Sequence, residues 1–162
     1  VKNPKFHIDS LKIEASVSDT LSFQPMIQGW HQDTYLILLE EQLEAITITR
    51  RYDLGTYLPS FTIAGLWGWD DFILRNTHDQ FFTVPTVPLV AAHLKPFPFE
   101  TLDWFHLRSD DHVADKIKWY VRPLAFGGDP QAADNLTWLT LDQHIEAVKW
   151  WNNTYRNLRA TA

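Results

Sequence analysis

Apolar and polar positions along this chain follow different rhythms in different stretches, and each rhythm predicts a different element. Leu11-Lys12-Ile13-Glu14-Ala15-Ser16-Val17 alternates, as a half-buried strand would. Gly29-Trp30 then leads to Asp33, a suitable helix N-cap. From Thr34 to Tyr52 the spacing of Leu36, Leu39, Leu43 and Ile46 predicts a helix, with Glu40, Glu41 and Glu44 on other faces. Arg50-Arg51 suits its C-terminus, and Gly55 is a natural stop. The alternation at Ile46 and Ile48 leaves a strand over 45–49 as the competing reading.

Beyond Leu58-Pro59 the rhythm turns to strands. Residues 61–66, 71–75 and 80–84 read as an antiparallel meander, and Asn76-Thr77-His78-Asp79 supplies a hairpin turn between the last two. Pro85 and Pro88 deny the sheet two donors, so this segment should be an edge or leave the sheet. Pro96 and Pro98 prolong the irregular stretch to about Thr101. Leu89, Val90, Leu94, Phe97 and Phe99 make it a packed connection rather than a free linker. Ile117, Trp119 and Val121 alternate along one more strand that Pro123 ends, Gly127-Gly128-Asp129-Pro130 turns the chain, and residues 136–139 form a last short strand.

Thr140-Leu141-Asp142-Gln143 has the pattern of a capping box, which opens a final helix. Leu141, Ile145, Val148, Trp151, Tyr155 and Leu158 fall in one stripe at about 100° per residue. Trp150 lies about 130° from the centre of that stripe, so it should stay partly exposed, at a homodimer seam or a partner site. The fold class expected is α+β, a single domain with a twisted, mainly antiparallel sheet, an N-terminal helix and a long C-terminal amphipathic helix packed on the sheet.

Composition narrows the classes of function. The 162 residues carry 20 acidic and 14 basic side chains for a net charge of −6, which argues against a nucleic-acid partner, since such affinity rests on clustered Lys and Arg. No Cys is present, which removes disulfides, thiol nucleophiles and Cys-based zinc sites. No run approaches the roughly 18 apolar residues of a membrane span, and no signal-peptide core appears, so a cytoplasmic chain is expected. Eight Trp point to a heavily aromatic core or to a surface built for binding.

Candidate chemistry is sparse. Trp67-Gly68-Trp69-Asp70-Asp71 is the sharpest local feature. It reads as a rim of aromatic and acidic groups that meets a partner, or as a turn shaped by Gly68 and Asp70 with both Trp packed inward. Asp70 and Asp71 are neighbours, so in a strand they point to opposite faces unless a bulge intervenes, which weakens an acid/base pairing of the two. His106, Asp110, Asp111 and His112 have metal-ligand chemistry in a spacing that matches no metal motif, so neither metal nor cofactor is expected. No Ser lies in a Gly-x-Ser-x-Gly setting, no phosphate-cradling Gly loop occurs, and His144 beside the apolar stripe reads as a packing residue. The expectation is a non-enzymatic binding domain. Its candidate contacts are Trp67, Trp69, Asp70, Asp71 and Trp150.

The order of landmarks resembles the SUKH superfamily of small α+β domains, which includes Smi-type fungal cell-wall regulators and bacterial immunity proteins. The resemblance spans residues 33–158. It rests on a first helix, Leu54-Gly55 and Leu58-Pro59, the Gly65 to Asp71 segment, a hairpin over 72–84, and Trp150-Trp151-Asn152 in the closing helix. The chain departs from the pattern in lacking an Asn-Gly-Gly after the first helix and in its Pro-rich stretch 85–98. What the resemblance implies is a non-enzymatic domain that binds a toxin module; it assigns no site residue. With the acidic balance, the Trp excess and the absence of catalytic motifs, it leads to the expectation of an immunity protein that neutralises a cognate protein toxin by covering its active site. The competing expectation, from the Trp residues alone, is a carbohydrate- or small-ligand-binding module.

Overall fold

The computed structural model describes residues 26–102 and 106–161. They divide into two compact units, one within 26–114 and the other over 115–161. The strand expected over 11–17 lies outside the described residues. Both units contribute to an α+β architecture: an antiparallel sheet of six strands, a second small sheet, a short N-terminal helix and a long C-terminal one.

In the first unit the strands follow chain order across the sheet: β1 (Met26–His31), β2 (Thr34–Leu39), β3 (Thr62–Trp67), β4 (Asp71–Arg75), β5 (Phe81–Pro85) and β6 (Lys95–Pro96). Each pairs with the next antiparallel, as short connections allow. β6 is two residues long and contains Pro96, the kind of edge a proline permits. The helix expected from Thr34 does not begin there. Thr34–Leu39 is a strand, and α1 covers only Gln42–Arg51. Leu36 and Leu39 matched a helical rhythm, but Tyr35 through Leu38 are all buried, because this central strand is covered on both faces. A continuous apolar run of that length suits such a strand as well as a helix. Leu43, expected on the apolar stripe, is 79% exposed, and α1 buries Ala45 and Ile48 instead. Asp33 is accordingly no N-cap; with Gln32 it forms the tight turn between β1 and β2, whose last pair is His31 with Thr34. Gly55 is no stop either. The left-handed residue that breaks the helix is Asp53 (φ 58°), after which α2 (Leu54–Tyr57) runs through Gly55.

Strand register sorts the side chains onto two faces. Leu36, Leu38 and Ile73 form a buried cluster on one face, with Trp67, Phe81, Phe97 and Phe99 packed against it. Ile37, Leu66, Phe72 and Val84 are buried on the other, where the Tyr52 ring meets Phe72 edge-on at 4.8 Å. There the Ile63 N–H donates to Thr49 Oγ1 of α1 at 2.8 Å, tying the helix to β3. Each fully buried aliphatic or aromatic side chain contributes roughly 1.5–3 kcal/mol. Gly65 sits at a register shift in β3, where a Cβ would overlap the Ile37 carbonyl oxygen; no other residue allows that approach. The hairpin at 76–79 forms as expected: Asn76 Oδ1 accepts from the N–H groups of His78 and Gln80, both at 2.9 Å.

In the second unit β7 (Ile117–Tyr120) pairs antiparallel with β8 (Leu136–Leu139). Arg122 and Asn135 close the loop between them: Asn135 Oδ1 accepts from the Arg122 N–H at 2.8 Å and Asn135 Nδ2 donates to the Arg122 carbonyl at 3.0 Å. α3 (Leu141–Ala160) packs on this small sheet through Ile145, Val148 and Trp151, each at most 1% exposed. The capping box is formed as the sequence predicts. The Gln143 N–H donates to Thr140 Oγ1 at 3.2 Å, and the Thr140 N–H donates to Gln143 Oε1 at 3.0 Å. Leu158 departs from the expected stripe at 39% exposed. A four-residue strand spans about 13 Å and a twenty-residue helix about 30 Å, so the last turns of α3 outrun the small sheet. Val121, expected beside Trp119, is likewise exposed because β7 ends at Tyr120.

Candidate functional site

One end of the six-stranded sheet gathers most of the residues singled out in the sequence. Two turns meet there, Gln32-Asp33 between β1 and β2 and Gly68-Trp69-Asp70 between β3 and β4, joined by a hydrogen bond from the Gly68 N–H to the Tyr35 carbonyl at 2.8 Å. Trp69 adopts φ 67°, a left-handed conformation that a bulky side chain rarely takes. Its ring lies stacked on Tyr35 at 4.9 Å and edge-on to Trp30 at 5.4 Å, and that packing holds the strained backbone in place. Trp69 is therefore buried. Trp67, two residues earlier, is half-buried on the opposite face, with Phe97 5.0 Å and His31 6.4 Å from its ring.

Asp70 and Asp71 meet different surroundings. Asp70 is exposed, and its backbone carbonyl accepts from the Thr86 N–H at 2.9 Å. Asp71, the first residue of β4, is half-buried. Loss of hydration raises its pKa above the usual carboxylate range, and the Lys95 ammonium pulls the other way.

Sequence reasoning missed a third strand-like contribution to this end. Arg108 bridges to Trp30 through paired backbone hydrogen bonds of 2.9 and 3.0 Å, and its guanidinium donates to the Gln32 carbonyl at 3.1 Å. Trp30 Nε1 donates to Asp110 Oδ2 at 3.0 Å. Asp110 also accepts from the His112 N–H at 3.0 Å, and these bonds hold its carboxyl below the usual range, the Trp30 bond foremost. The pairing spans 80 residues, and no local rhythm signals it. Asp110 and His112, considered in the sequence as metal ligands, are thus engaged with Trp30 and with each other, their side chains 3.3 Å apart. Among the described residues no three His, Asp or Glu side chains gather in the way a metal ion requires. This end therefore presents Asp33, Asp70, Asp111 and Arg108 exposed, Asp71 and Asp110 partly so, and the Lys95 ammonium acting on Asp71, with Trp67 and His31 half-buried on the face that carries Asp71.

Trp150 belongs to the other unit. It is half-buried on α3, edge-on to Trp151 with ring centres 4.8 Å apart. At the opposite end of the six-stranded sheet lies a cavity of about 490 Å³ that the sequence did not signal, walled by apolar side chains of β1, β2, β3, β5 and α1 with Phe99, and by the polar Glu40, Gln42, Thr62 and Arg75. Among the described residues no helix is long and apolar enough to cross a membrane. Compared with protein-family models, curated proteins and solved structures, the chain matches none.

Proposed function

We propose that this chain is a non-enzymatic protein-binding domain of the immunity type, which neutralises a cognate bacterial toxin by occluding its active site. The observation that carries the reading is the acidic and aromatic rim at the turn end of the sheet. Residues 26–114 hold 12 acidic and 5 basic side chains, whereas residues 115–162 hold 5 and 6. The negative charge of the chain is thus concentrated in the unit that bears the rim. Toxins that cleave nucleic acid need basic clefts to hold phosphates, and a carboxylate-rich surface is the electrostatic complement of such a cleft. Trp67 and His31 add ring surface on the face that carries Asp71, and aromatic surface next to charge is the mixture from which interface anchors are made. The resemblance of the landmarks to SUKH domains supports the same reading.

A carbohydrate-binding reading has less support. It needs open Trp faces on which sugars stack. At the rim Trp69 gives its faces to Tyr35 and Trp30, and Trp67 shares its surface with Phe97 and His31; the open ring, Trp138 at 47% exposed, belongs to the other unit.

Growth rescue tests the proposal. The product of the reading frame immediately upstream is expected to arrest a bacterial host, and co-expression of this chain to restore growth and copurify with it. Changing the exposed Asp33, Asp70 and Asp111 together to Lys should abolish both effects in a chain whose circular dichroism shows that it still folds. Full protection by that triple variant, or no binding by the parent chain, refutes the reading.

A further inference from the structure

The cavity at the other end of the sheet is a second site, independent of the rim. It opens where β2 and β4 end and β3 and β5 begin. Ile27, Leu38 and Ala64 line it from the sheet, and Phe81 and Phe99, stacked at 4.0 Å with their planes 9° apart, wall one side. Its volume of about 490 Å³ falls within the roughly 300–1,000 Å³ of small-molecule sites. Its mostly apolar lining takes an apolar body, and its polar residues, Glu40, Gln42, Thr62 and Arg75, decide the head group.

Arg75 supplies the stronger of those groups. It ends β4, paired with Thr62 on one side and Phe81 on the other, so it stands on the strands that build the chamber. Its side chain is 38% exposed, and that of its ion-pair partner Asp79, at 3.7 Å, is 82% exposed. A long, solvated pair of this kind contributes little and yields readily to a better acceptor. Glu40 also lines the cavity but is exposed, so water screens its charge, whereas Arg75 is half-buried and is screened less. Guanidinium donors match a carboxylate bidentately. We infer that this cavity binds a small amphipathic carboxylate, its aliphatic or aromatic body between Leu38, Ala64 and the Phe81–Phe99 wall and its head on Arg75.

Calorimetric titration of the full chain with sodium octanoate, octanol and octylammonium, followed by amide chemical-shift mapping, tests this. Octanoate is expected to bind best and to shift the amides of Leu38, Ala64, Phe81 and Phe99. Arg75→Gln should weaken octanoate by about tenfold, the worth of a charge-assisted hydrogen bond, and leave octanol unchanged. Ala64→Leu should fill the chamber and weaken both; if that variant does not fold, Arg75→Gln and the shift map decide alone. No octanoate binding, shifts that avoid the cavity, octylammonium binding as tightly as octanoate, or indifference to Arg75→Gln would each overturn the inference. Growth rescue by the rim does not depend on any of these outcomes, so the two sites stand or fall separately.

Discussion

His144 is the residue whose environment most alters its chemistry. It lies on α3, fully buried, with its ring edge-on to Trp119 at 5.1 Å. Burial penalises the imidazolium and lowers the pKa to about 3. Once unfolded, the same side chain titrates near 6.5. As pH falls below that value the unfolded chain takes up a proton that the folded one refuses, so stability is complete at neutral pH and drains away towards pH 3. Between pH 7 and 5, where carboxylates remain charged, this group should cost about 2 kcal/mol. His144→Leu should lose stability less steeply over that range in urea titrations; parallel curves for the two proteins would remove the argument. The apolar stripe beside it made His144 legible as a packing residue. An inward-packed Trp69 at a turn was one of two readings of its segment, but its left-handed backbone and its stack on Tyr35 were not legible, because they arise from two turns meeting, not from its own neighbours in sequence.

Elements were readable in proportion to how local their causes are. The capping box of α3 and its stripe through Ile145, Val148 and Trp151 lie within a dozen residues, and both are formed. The meander β3–β4–β5 was marked by turn residues at its ends, and it too is formed. Thr34–Leu39 misled because a strand buried on both faces shows no alternation, so its period cannot separate it from a helix. The Glu40-Glu41 pair that follows was the usable signal, since it interrupts the apolar run just before α1 begins at Gln42. Packing of α3 on β7 and β8 carries a direct consequence. Val148 is fully buried, and Val148→Asp would place a carboxylate there without a partner. The expected loss is several kcal/mol, seen as a lowered urea midpoint; a midpoint equal to the parent's would mean that the helix gains nothing from that contact.

On the scale of the molecule, charge is the property that sequence discloses most fully and position least. The acidic excess of residues 26–114 can be counted directly, yet only folding brings Asp33, Asp70 and Asp111 from three separate segments to one end of a sheet. Fields of this kind act at a distance. They draw a basic partner in before any contact forms, and salt screens them over about 8 Å at physiological ionic strength. Contacts made after docking, such as those of Trp67 and His31, are short-ranged and nearly indifferent to salt. The proposed toxin complex should therefore show a divided response. Raising ionic strength from about 20 to about 200 mM should slow association by roughly tenfold while dissociation changes little. Stopped-flow mixing followed by intrinsic Trp fluorescence separates the two rates. Association that is insensitive to salt, or a salt effect confined to dissociation, would mean that the carboxylates of the rim do not guide the encounter.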